Sequence, residues 1–265
     1  MDIVVCLKQV PDPDAQVDQF TIDSSFRKMV PAATVNPVVS PFDQNAIEAA
    51  LKIKETLGGK VTALSLGPPS PLEALKRALH MGVDSAVLVD EGGLSGPEPL
   101  GTAYLLAKAI QKIGHVDLVL CGRQAADWDQ GQVGPIVAEV LDIPCVTIVS
   151  RIEVVEGGLR VRRLVEEGYE VMELPLPALL TVTNEINQPR LPVVKWILRA
   201  SSIKIPVWSR QEIGVDPSLF EALRSPRLES LYIPEFKGDC QMMTGETPEE
   251  MAANLVTALR ANKII

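Results

Sequence analysis

Up to about residue 145 the chain alternates between short apolar runs and stretches of helical period. Ile3-Val4-Val5-Cys6-Leu7, Val61-Thr62-Ala63-Leu64-Ser65-Leu66, Ala86-Val87-Leu88-Val89 and Leu118-Val119-Leu120-Cys121 are near-continuous apolar runs. Runs without polar alternation are what the strands of a parallel sheet covered on both faces require. Between them the period lengthens. Asp43 begins a stretch carrying Ala46, Ile47, Ala50, Leu51 and Ile53 at helical spacing. Ser70-Pro71-Leu72-Glu73 opens the next helix, with Ser70 as N-cap, Pro71 in the first turn and Glu73 completing a capping box. The spacing predicts two further helices, over about 98–113 and 132–141. Strands alternating with helices make βαβ units, and right-handed crossovers join these into an α/β fold with an open, doubly wound, mainly parallel sheet.

Beyond Pro144 the pattern changes. Residues 145–155, 159–166 and 179–183 are rich in Val, Ile, Leu and Thr, and Gly157-Gly158 marks a hairpin turn between the first two. These strands are expected to extend the same sheet as antiparallel additions. From Asn187 the chain is interrupted by Pro189, Pro192, Pro206, Pro217, Pro226 and Pro234, with brief apolar stretches between. It ends in a short helix announced by Thr247 as N-cap, Pro248 and Glu250, with Met251, Leu255 and Leu259 on one face. So long an irregular stretch is rare inside a compact domain. It is either a loosely ordered tail or an arm that wraps a partner. The apolar content of Trp196, Ile197, Leu198, Ile203, Ile205, Val207 and Trp208 points to the arm.

Composition narrows the classes. At 265 residues, 46% hydrophobic and 22% charged, the chain is an ordinary globular protein able to bury one sizeable core. Its net charge is −9 with dispersed basic residues, and aromatics are 4%, so neither phosphate neutralisation nor base stacking recommends nucleic acid as a partner. No apolar run approaches the ~20 residues that span a bilayer. Met1-Asp2-Ile3-Val4-Val5 lacks the features of a signal peptide. Cys6, Cys121, Cys145 and Cys240 show no CxxC spacing, which suggests neither a metal site nor a disulfide framework. A cytoplasmic location is expected.

Ligands of open α/β sheets bind beyond the carboxyl ends of the strands. After the fourth strand comes Gly122-Arg123-Gln124-Ala125-Ala126-Asp127-Trp128-Asp129-Gln130-Gly131-Gln132-Val133-Gly134-Pro135. Gly122 ends the strand, and Gly131 and Gly134 bracket a helix start. Glycines let backbone N–H groups approach an anion, and a helix N-terminus adds partial positive charge, which together suit a phosphate or pyrophosphate. Asp127 and Asp129 belong on ribose hydroxyls, backbone N–H groups or a cap. The same string also reads as an ordinary surface loop. Lys8-Gln9-Val10-Pro11 follows the first strand, Gly67-Pro68-Pro69 follows Leu66, and Ser40-Pro41-Phe42-Asp43 precedes a helix. Gathered on one sheet edge, these would outline a groove of nucleotide size, which makes residues 1–186 a nucleotide-binding α/β domain of Rossmann-like kind. No P-loop, GxGxxG after the first strand or GxSxG elbow occurs, and His80 and His115 read as structural. No catalytic residue is expected; a bound nucleotide either carries the chemistry or serves as structure.

Several strings, taken together and in order, resemble the electron-transfer flavoprotein small (β) subunit over essentially the whole chain. They are Lys8-Gln9-Val10-Pro11-Asp12, Ser65-Leu66-Gly67-Pro68, Gly122-Arg123-Gln124-Ala125 with Gln132-Val133-Gly134-Pro135, and Asn187-Gln188-Pro189-Arg190. The stretch from Val161-Arg162-Arg163 through Gly168-Tyr169-Glu170 to Leu176-Pro177-Ala178 is similar to that family's signature, with Met172 where a branched aliphatic is more usual. The resemblance implies a heterodimer with a larger α subunit holding an electron-transferring FAD, shared between the subunits, and AMP or a second FAD in the β site. By matching positions, Cys6 lies against the adenine side. Lys8, Ser40, Pro41, Phe42, Asp43, Leu66 and the loop from Gly122 through Arg123, Gln124, Ala125, Asp127, Asp129, Gln130, Gly131, Gln132 and Val133 to Gly134 complete the pocket. Asn36-Pro37 competes with Ser40-Pro41 for one family motif. Residues 187–203 resemble the loop that docks an acyl-CoA dehydrogenase or similar flavoenzyme, with Asn187, Pro189, Arg190, Trp196 and Ile197 around Val194 as the aliphatic anchor. The rest of 187–265 resembles an arm embracing the α subunit.

Lys8-Gln9-Val10-Pro11 and Gln132-Val133-Gly134-Pro135 are similar to electron-bifurcating and nitrogen-fixation-type members, which favours FAD; Trp128 stands where bifurcating members commonly have Gly. The implied role is an electron carrier that makes and breaks no substrate bonds. A nucleotide-binding regulatory module of the stress-protein type is the alternative, although it would need no arm. An ATP-dependent enzyme of this fold would show a Ser-Gly-Gly phosphate loop after the first strand, where Lys8-Gln9-Val10-Pro11 stands.

Overall fold

Each apolar run of the first 145 residues forms a strand in a computed structural model of the chain, which describes residues 1–23, 28–68, 73–91, 94, 98–224, 228–234, 238 and 240–265. Strand β1 (Asp2–Cys6) leads into β2 (Gln9–Pro11), the hairpin strands β3 (Phe20–Asp23) and β4 (Lys28–Pro31), and β5 (Pro37–Val39), which returns antiparallel to β2. Then come α1 (Pro41–Leu57), β6 (Lys60–Gly67), α2 (Glu73–Met81), β7 (Ser85–Asp90), α3 (Pro99–Ile113), β8 (Leu118–Gly122) and α4 (Val133–Leu141). The second half supplies β9 (Cys145–Val155), β10 (Gly158–Val165), β11 (Gly168–Pro175), β12 (Ala178–Val182), α5 (Val194–Ala200), β13 (Val207–Trp208) and α6 (Pro217–Leu223). Ser70, Pro71 and Leu72 of the expected capping box, with Pro69 and Pro226, lie outside the described residues. Helix α1 starts two positions before the expected Asp43, because Pro41 fits the first turn, where a helix needs no N–H.

One nine-stranded sheet holds the fold together, in the order β11-β10-β9-β12-β8-β1-β6-β7-β13. β1 lies parallel to β6 and β8, and β12 parallel to β8 and β9. The antiparallel additions are β10 and β11. Of the runs expected as antiparallel, 145–155 (β9) is antiparallel to β10 but parallel to β12, and 179–183 is not antiparallel at all. It is β12, inserted parallel in the sheet interior, where all five of its residues are buried. Strand β11, a mostly exposed edge strand with Tyr169 and Val171 among charged residues, was not expected.

Helices α1 and α2 cover one face over Ile3, Val5, Ile47, Leu51 and Leu75. Helices α3, α4 and α6 cover the other over Val4, Leu64, Leu105, Val137 and Phe220. Each such side chain contributes about 2 kcal/mol by leaving water. Because α3 crosses from one face to the other, β1, β6 and β7 progress one way across the sheet and β8 and β12 the other. The reversal falls between β1 and β8.

Packing divides the chain into Met1–Leu231 and Tyr232–Ile265, later than the boundary expected after residue 186. Residues 187–231 join the first unit because Ile203 and Ile205 pack on one core and Trp208 and Phe220 on the other. The proline-studded stretch thus contains α5, β13 and α6. Pro217 starts α6 instead of breaking it, and the Asp216 carboxylate accepts from Ser218 N (2.8 Å) and Leu219 N (3.1 Å). The second unit carries α7 (Pro248–Ala261). Thr247 Oγ1 caps it by accepting from Glu250 N at 3.3 Å, while Glu250 reaches back to Glu246 N (2.8 Å), one residue before the expected partner. Among the described residues no helix is long and apolar enough to cross a membrane.

Candidate functional site

The reversal of strand order leaves a cleft of about 360 Å³ at the carboxyl ends of the central strands. Cys6, Leu66 and Cys121 supply its apolar floor. Cys6 and Cys121 follow the register pair Val5 and Leu120 on adjacent strands. Contact with the Cys6 thiol, together with burial, pushes the Cys121 thiol well up, so it stays a neutral hydrophobe. Lys8, Asp43 and the loop from Gly122 to the start of α4 form a charged wall. A second wall comes from Glu91, Leu94 and the first turns of α3, with Glu98, Thr102 and Leu106. That wall was missed from the sequence; its signal is Glu91, which follows the strand directly, and Glu98, which precedes the helix-opening Pro99.

Asp43 is the brace of the charged wall. Its carboxylate, 6% exposed, accepts from Lys8 N at 2.8 Å and from Gly122 N at 2.9 Å, tying the ends of β1 and β8 together. Burial pushes its pKa up to about 7, against the two N–H donors and Lys8, which pull it down. A Cβ on Gly122 would stand 2.5 Å from Asp43 Oδ1, so glycine is required for this approach. Above it, Lys8 Nζ meets Asp127 Oδ2 at 2.6 Å. Asp127 Oδ1 is buried without a hydrogen-bond partner among the described residues. Asp127 was expected on a ribose, a backbone N–H or a cap; one oxygen is instead engaged by Lys8.

Fourteen of the eighteen expected pocket residues line the cleft: Cys6, Lys8, Asp43 and Leu66 below, and Gly122 to Ala125, Asp127 and Gln130 to Gly134 beside it. Ser40, Pro41, Phe42 and Asp129 do not. Ser40 is fully buried and its hydroxyl accepts from Ala126 N at 3.3 Å, Pro41 is exposed in the first turn of α1, and Phe42 lies under the Arg123 guanidinium at 5.0 Å. Asp129 accepts from Gln124 Nε2 at 2.7 Å. These residues shape the loop from behind.

Helix α4 opens on the cleft with no side-chain cap. Ile136 N closes the first helical bond onto Gln132 O and Pro135 has no N–H, which leaves the Val133 and Gly134 amides at the cleft wall outside the helix ladder. Gly131 sits at φ +63°, where only glycine is unstrained. Gly134 has a further duty beside the expected anion approach: a Cβ there would strike Thr181 Cγ2 at 2.6 Å, so glycine is needed to seat α4 on β12. Thr181 Oγ1 accepts from Ile148 N at 3.1 Å, and Ile148, at φ +60°, occupies a bulge where β9 has one residue more than β12. Among the described residues no group of three or more His, Cys, Asp or Glu could hold a metal ion.

Comparison with known proteins fits this arrangement. The profile of the electron transfer flavoprotein domain matches residues 29–212. The caffeyl-CoA reductase-Etf complex subunit CarD of Acetobacterium woodii is 40% identical over the full length of both chains. The electron transfer flavoprotein subunit beta of Thermoanaerobacterium thermosaccharolyticum is 38% identical, again over all of both. The chain belongs to the electron transfer flavoprotein family. Protein FixA of Azorhizobium caulinodans is 37% identical, covering 82% of this chain and 78% of its own. Electron transfer flavoproteins bind flavin and carry electrons.

The stretch likened to the family's docking loop is held by α1 of this electron transfer flavoprotein chain. Asn187 Nδ2 donates to Asn45 O (3.0 Å), and Asn45 Nδ2 returns a bond to Asn187 O (2.8 Å). Arg190 Nε donates to Glu48 Oε2 at 2.7 Å and the guanidinium also holds Glu55, so both glutamates keep it charged. Asn187 and Arg190 thus serve as internal anchors, not as outward-facing contacts. Trp196 lies over Gly82, and Pro189 is half-buried. Leu191, Val194 and Leu198 are exposed, at 76%, 69% and 69%, with Ile197 at 41%.

Proposed function

We propose that this chain is the β-type subunit of a heterodimeric electron transfer flavoprotein and that its cleft holds the adenine nucleotide portion common to AMP and FAD. The observation that carries the reading is the contrast between the two helix starts on the cleft. That of α4 offers free amides beside Lys8 and Arg123, whereas that of α3 bears Glu98, which is bound to Arg224 Nε at 2.9 Å. Phosphate belongs at α4, and ribose and base belong toward the apolar floor and α3. The buried Asp127 Oδ1 supplies an acceptor for a ribose hydroxyl or an exocyclic amine. A cavity of this size matches a mononucleotide at the lower end of ligand pockets, roughly 300–1,000 Å³. A dinucleotide would extend beyond it.

A bound flavin supplies one- and two-electron chemistry; this chain binds and orients the nucleotide end and excludes water from it. The exposed Leu191, Val194, Ile197 and Leu198 form the surface for a flavin dehydrogenase of acyl-CoA type, and the second unit, with Met251, Leu255 and Ile264 exposed, is the arm for an α-type subunit. CarD, by its name, works with a caffeyl-CoA reductase, and a further relative from Anaerotignum propionicum is named acryloyl-CoA reductase electron transfer subunit gamma. Both names support an acyl-CoA-type partner. Acid release of cofactors from the protein purified with its companion tests the reading: an adenine nucleotide in stoichiometric amount is expected. One FAD with one AMP marks a simple carrier, two FAD allow bifurcation, and no nucleotide would refute the site.

A further inference from the structure

Asp43 stands out among the groups of the cleft because the family role of a nucleotide pocket does not account for it. It is a carboxylic acid at the junction of two strand ends, buried at 6% exposure. Its two oxygens are both taken, one by Lys8 N and one by Gly122 N, and it nevertheless lines the cavity. The charged groups that face it are few. Lys8 comes from the exit of β1, Asp127 from the loop after β8, and the neutral Cys121 thiol from β8 itself. Lys8 is already engaged by Asp127 at 2.6 Å, so this cation is shared between two carboxylates. An arriving phosphate would draw on Lys8 as well, and it would add negative charge to a pocket that also contains Glu91 and Glu98.

Resting on the nucleotide reading of the cleft, we propose that Asp43 is a proton-linked positioning residue, which takes up a proton when an anionic adenine nucleotide binds. In the empty cleft the carboxylate, sitting near neutrality because burial opposes its charge, holds the two strand ends through charge-assisted bonds. When phosphate enters, one carboxylate oxygen becomes a hydroxyl. It stops accepting from one of the two amides, and the amide released is free to turn toward the ligand. The proton comes from solvent, and no electron moves. A phosphate charge about 12 Å away, at an effective dielectric of about 20, raises the proton affinity of the group about tenfold.

The experiment uses the full-length protein freed of nucleotide, with AMP as the probe, titrated calorimetrically at pH 7 in two buffers of different ionisation enthalpy. The wild type should take up about 0.4 proton more per AMP than Asp43→Asn, a figure that follows from a group half-protonated before binding and tenfold more basic after it. Protonation of AMP itself is common to both and cancels. Between pH 6 and pH 8 the wild-type affinity should fall about fivefold more than that of the variant. Equal proton uptake, with AMP still bound by both, would overturn the proposal and leave the nucleotide site standing. Failure of the wild type to bind AMP would overturn the site reading and this proposal with it. Should Asp43→Asn not fold, infrared difference spectra of the wild type decide: a carboxylic acid carbonyl band must grow on adding AMP at pH 7, and its absence sinks the idea.

Discussion

A Cβ on Gly134 would lie 2.6 Å from Cγ2 of Thr181, so the helix that opens on the cleft rests directly on a side chain of the sheet interior. Thr181 has no room to yield. It is 2% exposed, and its hydroxyl is held by the amide of Ile148, whose positive φ fixes the bulge in β9. The position of α4 is therefore set by three residues from three elements.

Gly134→Ala should lower stability by about 1–3 kcal/mol, the usual range for overpacking a filled core. Thr181→Ser, which removes the methyl and keeps the hydroxyl, should recover part of that loss in the double variant. Denaturant unfolding of the four proteins measures the coupling. Strictly additive effects would mean that the two residues do not share that space.

Asp43 also predicts how stability responds to pH. Its carboxyl is raised from 3.8 to about 7 in the fold, so between those values the native state holds a proton that the unfolded chain has lost. Its contribution is complete below 3.8, declines as pH rises and is gone above about 7. Melting temperatures measured across this range should fall with pH more steeply for the wild type than for Asp43→Asn. Parallel curves would contradict the raised value.

Arg190→Met removes the guanidinium from Glu48, whose side chain is 4% exposed, and leaves a buried carboxylate with the longer Lys52 contact at 3.9 Å in place of the 2.7 Å pair. The expected loss is about 2–3 kcal/mol. Lys76→Ala, which breaks the exposed pair with Glu73, should cost less than about 0.5 kcal/mol. Urea unfolding of the two variants compares them; similar losses would count against Glu48 being the reason.

Val194→Asp should leave the fold and the nucleotide content unchanged, because Val194 is 69% exposed. Electron transfer from a flavin dehydrogenase should nonetheless slow about tenfold or more, since one charge in the centre of an apolar contact disrupts it. Stopped-flow reduction of the flavin gives the number, and wild-type rates would dismiss this surface as the docking site.

Much of the site was legible because parallel strands write themselves as unbroken apolar runs and ligand loops follow them. Cys6, Lys8, Leu66 and the run from Gly122 to Ala125 fall on one edge by strand order and run ends alone. What stayed hidden depends on contacts between distant segments. Nothing local tells that Gly134 answers to Thr181 or that Arg190 turns inward to Glu48. Nor does a local pattern reveal that Glu98 faces the cleft from the far side of a crossover. β11 was invisible for a different reason: an exposed edge strand needs little hydrophobicity, and Gly168-Tyr169-Glu170-Val171 reads as easily as a turn. The proline-rich stretch misled in the opposite sense, since Pro217 begins a helix where its neighbours suggested none.

Strand β1 precedes β6 and β8 along the chain but sits between them, with Ile3 in register with Val61 on one side and Leu118 on the other. A growing chain therefore displays an unprotected apolar strand until more than a hundred further residues have left the exit tunnel. Nascent chains halted before β8 should accordingly be retained by trigger-factor-type chaperones, and chains halted after β12 should be released.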